Sequence, residues 1–266
     1  MKLKSTFLLF VFSFSVIFSY SQNHECGSHH GYLNEQKSKF PQFYKSLENK
    51  NQELEDQNAK LLSKIVPNQK SSSKKIIPVV VHVIHDFGSE NVTDAQVNDA
   101  IRVLNENING QDPQFVSRTP DVFAAVVGKP NLEFRLATKD PNGNPTSGIN
   151  RVQSEMTQVP NPRDQVKALS YWNSYQYLNI WVVKSLPTEN GGVLLGYAQF
   201  PFGGSMSTDG VAIIANQFAS TSSSTLTHEV GHWLGLRHVW GDAVCGDDQV
   251  ADTPPQRYSN GFGDNP

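Results

Sequence analysis

The chain has 266 residues, of which 38% are hydrophobic, so it is long enough for one sizeable domain and a smaller appendage. Its net charge of -3 at pH 7 and the lack of a basic stripe interleaved with aromatic residues exclude nucleic acid as the expected partner. Only Cys26 and Cys245 are available as cysteines, which excludes a scaffold built on disulfides.

The N-terminus has the pattern of an export signal. Two lysines precede an apolar run at residues 7–18, and a small-x-small triplet follows at residues 19–21. The alternative of a membrane anchor is disfavoured because the run is shorter than the roughly 20 residues that span a bilayer. A lipoprotein would need small and aliphatic residues just before Cys26, where the chain is polar. We therefore predict a signal peptide at residues 1–21, a secreted protein and no membrane span.

Residues 22–75 are rich in Lys, Asn, Gln, Glu and Ser and carry sparse apolar residues at helical spacing. These apolar residues are Phe40, Phe43, Leu47, Leu54, Leu61 and Ile65. Such an amphipathic helix hides one thin stripe against a larger body and adds little core, as a propeptide does. The run SSSKK at residues 71–75 is typical of a cleavable linker. An ordinary N-terminal coil without a regulatory role is the alternative.

The remaining residues, 76–266, have the pattern of one α/β domain. Residues 76–84 predict a buried strand, and Thr93 or Asp94 can cap a helix that runs to about residue 107. Further strands are predicted at residues 132–138, 179–183 and 211–216. The segment 191–201 predicts an edge strand, because its final proline would interrupt a central ladder.

One short helix is predicted to carry a metal site. Residues 222–225 offer several N-caps for a helix that contains His228 and His232. Their i, i+4 spacing puts both imidazoles on one helical face, close enough to share a zinc ion. Glu229 follows the first histidine, so its carboxylate can reach past the metal toward a bound water and act as general base.

The third ligand is expected from outside this helix. Gly235 can take a positive φ and end the helix abruptly, so that the chain brings His238 back to the ion. Three neutral imidazoles leave one position for water, which is the arrangement of a catalytic zinc. A zinc-bound water together with Glu229 predicts the hydrolysis of peptide bonds.

The segment HEVGHWLGLRH, residues 228–238, resembles the extended zinc signature of the metzincin metallopeptidases. Segments similar to those of the pappalysin family within this class are YLNIWVV (177–183), GYAQFP (196–201), DGVAII (209–214) and VADTP (250–254). The resemblance implies an α/β (α+β) fold class. It would be a metzincin-like zincin domain with a mixed twisted sheet and an active-site helix, preceded by the signal peptide and a short helical propeptide.

The same resemblance implies where substrate and calcium bind. The GYAQFP strand would hold an extended peptide through strand addition, with Gly196, Tyr197, Ala198 and Gln199 as candidate substrate-binding residues. An ordinary capped edge is the alternative. Family members bind calcium after the third histidine, which makes the oxygen-bearing Asp248, Asp252 and Thr253 candidate Ca²⁺ ligands. Solvated turn residues are the alternative there.

Cys26 lies in HECGSHH within the predicted propeptide, and Cys-Gly is similar to the latency motif of this family. A thiolate is a good zinc ligand, so Cys26 would occupy the water position and make the propeptide an inhibitor of its own enzyme. A disulfide with Cys245 and an idle thiol are the alternatives.

Metzincins carry a methionine turn after the third histidine, whereas Met1, Met156 and Met206 all precede the helix. We therefore expect this sequence to be C-terminally incomplete. The predicted function is a secreted zinc endopeptidase that acts on protein or peptide substrates and is made as a zymogen. Two alternatives are a zinc-bearing binding or adhesion module without catalysis and a zinc amidohydrolase acting on non-peptide bonds.

Overall fold

The computed structural model describes residues 74–113, 117, 127–128, 130–159, 163–188, 192–201, 203–241, 248 and 250, together with the isolated residues 38, 41, 42 and 45. The predicted signal peptide and nearly all of the predicted propeptide lie outside these residues, so the boundaries of both stay predictions. Among the helices of the described part, none has the length and apolar character needed to cross a membrane.

A six-stranded mixed sheet forms the centre of the domain. Its strands are β1 (Lys75–His85), β2 (Leu132–Leu136), β3 (Ile149–Gln153), β4 (Leu178–Val183), β5 (Gly196–Ala198) and β6 (Val211–Ile214). Their order is β2-β1-β4-β6-β5, and β3 pairs with the C-terminal half of β1. All pairs are parallel except β5 with β6, so an antiparallel strand forms one edge of the sheet.

Both faces of the sheet are covered, which explains why its central strands are continuous apolar runs. The helices are α1 (Asp94–Ile108), α2 (Ala215–Phe218) and α3 (Thr225–Trp233), and all three contribute to the core on one face. On the other face a 3-10 segment, Arg163–Leu169, packs with the side chains of Trp181 and Tyr197. The functional helix α3 is thereby placed against β5 and β6.

Most predicted elements are confirmed. Helix α1 starts after Thr93, whose hydroxyl accepts the Gln96 N–H while the Gln96 side chain accepts the Thr93 N–H. The predicted edge strand is β5, and β1 begins one residue before the predicted start of the domain. The sequence does not predict strand β3, because INRVQ is short and largely polar. In the structure this strand is only partly buried.

Candidate metal centre

Helix α3 carries two of the three predicted histidine ligands. Its N-cap, Ser224, makes no side-chain capping bond; instead the Ser223 hydroxyl accepts the Thr225 N–H at 3.2 Å. Leu226 and Val230 are buried in the core that lies under the helix. Leu226 and Val230 are four residues apart, as are the two histidines. The burial of this apolar pair therefore fixes the direction in which the histidine pair points.

The helix ends in a glycine turn that brings the third histidine back. Gly235 has a φ of 99°, and its N–H donates to His232 O at 2.9 Å. The Leu236 N–H donates to Gly231 O, also at 2.9 Å. This pair of bonds is the Schellman arrangement, which a residue with a left-handed backbone makes possible. The turn therefore forms as the glycine predicts, and it delivers His238 to the helix.

The three histidines converge on one point. The Nε2 atom of His228 lies 3.0 Å from that of His232 and 3.2 Å from that of His238. Two nitrogens on one tetrahedral zinc, each about 2.0–2.1 Å from it, would be roughly 3.3 Å apart. The residues present therefore fit a zinc ion. Among the described residues, they are the one group of three metal-ligating side chains that meets in this way.

The ring orientations are held by neighbouring groups. The Leu236 carbonyl, 2.7 Å from His232 Nδ1, can only accept a hydrogen bond, which assigns the proton to Nδ1 and leaves the Nε2 lone pair for a metal. Trp240 stacks on the His238 ring with centroids 4.2 Å apart, and Phe200 lies 5.0 Å from His232. Neither aromatic residue was singled out from the sequence, although each lies within a few residues of the signature or of the edge strand.

Glu229 is 1% exposed and lies against strand β5. A Cβ atom added to Gly196 would be 3.0 Å from Glu229 Cγ and 3.4 Å from its Oε1. The carboxylate thus lies at the junction of the ligand helix and the edge strand. Its role as general base stays a prediction.

Strand β5 turns different backbone groups toward its two sides. The Gln199 N–H donates to Gly210 O, and the Leu195 carbonyl accepts the Ile214 N–H, both at 3.0 Å. Antiparallel alternation therefore directs the backbone of Tyr197 toward β6 and that of Gly196 and Ala198 toward the outer edge. The Tyr197 side chain contributes to the core on the face away from α3, and the Gln199 amide bonds to Ser205 O.

A buried charged cluster lies at the end of helix α3. The Trp233 indole Nε1 donates to Asp209, with both carboxylate oxygens 3.2 Å away. Burial raises the pKa of Asp209, while the Trp233 hydrogen bond and the nearby Lys167 cation oppose the rise. Lys167 is fully buried, and burial lowers its pKa against the attraction of Asp164. The sequence analysis does not identify this cluster. The only indication of it in the sequence is that a tryptophan, Trp233, directly follows the predicted ligand His232.

The remaining predicted site residues lie near the C-terminal end of this sequence or in the predicted propeptide. Asp248 is buried, and its Oδ1 accepts the Val250 N–H at 3.0 Å. Asp252, Thr253, Cys26 and Cys245 lie outside the described residues. Their calcium, latency and disulfide roles therefore stay predictions.

A mixed sheet with one antiparallel edge strand and a helix bearing HExxH, followed by a histidine beyond a glycine turn, defines a zincin-type metallopeptidase of the metzincin class. The model of the family Peptidase_M43, described as pregnancy-associated plasma protein-A, matches residues 161–262. Mature mirolysin of Tannerella forsythia, solved with a cleaved peptide, is 43% identical, with a TM-score of 0.64 over 71% of this chain and 74% of that chain. The chain belongs to the pappalysin family of metallopeptidases, which confirms the predicted resemblance and fold class.

Two further relatives extend the comparison. A promirolysin variant of Tannerella forsythia is 38% identical, with a TM-score of 0.71, and the match covers 89% of this chain and 78% of that chain. An extracellular metalloprotease of Verticillium alfalfae is 34% identical over 184 residues, which are 64% of this chain and 53% of that protein. The chain thus spans about half the length of the curated relatives that it matches.

Proposed function

We propose that the protein is a secreted zinc endopeptidase that hydrolyses protein or peptide substrates with Glu229 as general base. The observation that carries this proposal is the convergence of three histidine Nε2 atoms beside a buried glutamate, next to the edge strand of the sheet. Export is supported by the N-terminal pattern and by the extracellular metalloproteases among the relatives.

The chemistry divides between the ion and the chain. When bound by His228, His232 and His238, zinc would acidify a water and polarise the scissile carbonyl. Glu229 accepts the proton of that water and later delivers it to the leaving amine. The edge strand β5 holds the substrate backbone in an extended form, as in strand addition.

The direct test is Glu229→Ala in the full chain. We expect zinc to stay bound and turnover of a protein substrate to fall by roughly 10²–10⁴-fold, the usual contribution of a general base. His232→Ala is the control, and it should lose zinc and activity together. Retained cleavage in the Glu229 variant would overturn the proposal, and a zinc-loaded parent that binds peptides without cutting them would favour a binding module.

A zymogen with the N-terminal segment as its own inhibitor is the second part of the proposal. The promirolysin match covers 89% of this chain against 71% for the mature form, a difference of about 48 residues. That difference is close to the length of the predicted propeptide, residues 22–75. Cys26 is its candidate ligand to the zinc, because a thiolate can take the position of the water.

Cys26→Ala tests the latency role. We expect premature activity in the unprocessed variant, whereas Cys245→Ala should stay silent. If both variants are activated alike, a disulfide between the two cysteines is the better explanation. Equal latency in Cys26→Ala and the parent would contradict the role.

Calcium binding by Asp248, Asp252 and Thr253 is the third part. Its support is that Asp248 is buried and offers carboxylate oxygens, the kind of ligand that calcium binds. We expect calcium removal by a calcium-selective chelator to lower the melting temperature, and Asp248→Asn to weaken the response to added calcium. Asp247→Asn, at a neighbouring acidic residue, serves as the control. A melting temperature that calcium does not change would exclude the site.

A further inference from the structure

Helix α3 is attached at its last residue to the loop that precedes β6. Trp233 directly follows the ligand His232 and precedes the turn that leads to His238. Its indole donates to Asp209, a carboxylate that is 8% exposed and lies just before β6. A hydrogen bond from a partly buried indole to a buried carboxylate is among the stronger and more directional contacts in a protein. The bond therefore restricts the rotation of the last turn of α3.

The acceptor is held independently of the helix. Fully buried Lys167 donates from Nζ to Thr208 O at 2.7 Å and forms an ion pair with Asp164 at 3.0 Å. The Ser174 hydroxyl donates to Asp209 O at 3.4 Å. Because these contacts come from outside α3, the loop that carries Asp209 is the fixed member of the pair. The Asp209 carboxylate therefore fixes the position of the Trp233 indole and, through it, the C-terminal end of α3.

We propose that Asp209 is a positioning residue of the metal centre, which acts through Trp233 to set the angle at which His232 and His238 meet the ion. The inference rests on the proposed function, because it assumes that the three histidines hold zinc. Partners behind the metal ligands orient them, and their loss typically weakens metal affinity by about 10–100-fold. Trp233 directly follows the ligand His232, so Asp209 acts on the ligands through the backbone, at the point where the helix leads into the glycine turn.

The experiment compares Trp233→Phe and Asp209→Ala in the full chain, because each removes one partner of the bond. We expect both to weaken zinc binding, measured by competition with a chelator, by roughly 10–100-fold. The visible absorption spectrum of the cobalt-substituted protein should change in the same way in both. The double variant should be no weaker than either single variant, because the two changes remove one interaction. Asp209→Asn keeps an acceptor oxygen and should restore affinity to within about threefold of the parent, since the amide oxygen can still accept the indole N–H.

Thr157→Val is the matched control. Its hydroxyl also donates a buried hydrogen bond, to Ile84 O at 2.7 Å, but it lies in the 3-10 segment Glu155–Thr157 beside β1 and not in the Asp209 loop or α3. This variant should lower the melting temperature and leave zinc affinity and the cobalt spectrum unchanged. The inference is overturned if Trp233→Phe and Asp209→Ala keep parental zinc affinity, or if Thr157→Val weakens zinc equally. A parent that binds zinc but cleaves no protein would instead refute the proposed function and leave this comparison intact.

Discussion

Gly196 and Glu229 are packed so closely that a single added methyl group at the glycine would meet the glutamate. The added Cβ would lie 3.0 Å from Glu229 Cγ and 3.1 Å from the Ala212 carbonyl oxygen on its other side. Both neighbours would have to give way, and the carboxylate is the more mobile of the two. The lack of a side chain at this position on β5 thus sets where the proposed general base lies.

We predict that Gly196→Ala lowers kcat by roughly 3–10-fold, because the added Cβ forces Glu229 to shift by a few tenths of an ångström and so to lose alignment with its water. Zinc affinity should stay at the parental value, since none of the three atoms nearest to the added Cβ belongs to a histidine. The measurement is steady-state kinetics together with a zinc titration. Gly128→Ala is the control, because a Cβ at Gly128 meets nothing within 4 Å. Parental kcat in the Gly196 variant would show that Glu229 is not constrained by this strand.

The second prediction concerns the turn at Gly235. Gly235→Ala places a side chain at a φ of 99°, which costs roughly 1–2 kcal/mol of backbone strain. Because this turn leads to His238, we expect a lower melting temperature and also weaker zinc binding. Gly143→Ala is the matched control: it has a φ of 84° and open space around it, far along the chain from the metal centre.

Of these two variants, only Gly235→Ala should weaken zinc binding. Both should lose similar stability in urea unfolding, since the strain is similar. If Gly143→Ala weakened zinc binding as much as Gly235→Ala, the effect would come from general destabilisation. If neither did, the Schellman turn would not be what delivers His238.

The contrast between what the sequence predicted and what it missed follows from distance along the chain. The zinc ligands lie within eleven residues on one helix and its turn, so helical spacing and one glycine were enough to predict them. The Trp233–Asp209 bond joins residues 24 apart, and Lys167 reaches Thr208 across 41. No local pattern specifies which loop meets which helix, so these contacts needed the folded chain. The same holds for the close contact of Gly196 with Glu229.

His82 leads to a prediction about pH. The ring lies in the core of the sheet, 3.0 Å from the Asn179 side-chain oxygen and stacked on Trp181. Burial lowers the pKa of His82 from 6.5 to about 4, although the hydrogen bond with Asn179 opposes the change. The folded protein therefore keeps the ring neutral where the unfolded chain already binds a proton.

This difference makes stability depend on pH in one direction. The contribution of His82 is complete above about pH 6.5 and is lost as the pH falls toward about 4, with a total near 3 kcal/mol. His82→Gln cannot titrate, so the difference in unfolding free energy between parent and variant should shrink across that window. Urea unfolding at several pH values measures it. Parallel curves for the two proteins would mean that His82 does not cause the loss.

The side chain of Asn105 covers part of the β2 edge of the sheet, and the last prediction tests its role. At β2 the backbone of Phe134 faces outward, but Asn105 of helix α1 bonds both its N–H and its carbonyl oxygen at 2.8 Å. At the other edge, β5 lies against helix α3, and strand addition by a substrate is proposed there. Open strand edges invite pairing with other chains, so Asn105 covers this part of the β2 edge.

We predict that Asn105→Ala lowers the unfolding free energy by roughly 1–3 kcal/mol, because it leaves the Phe134 groups unsatisfied, and that it promotes self-association visible in light scattering. Asn98→Ala removes only an exposed bond within α1 and should do neither; a monomeric, fully stable Asn105 variant would contradict the blocking role.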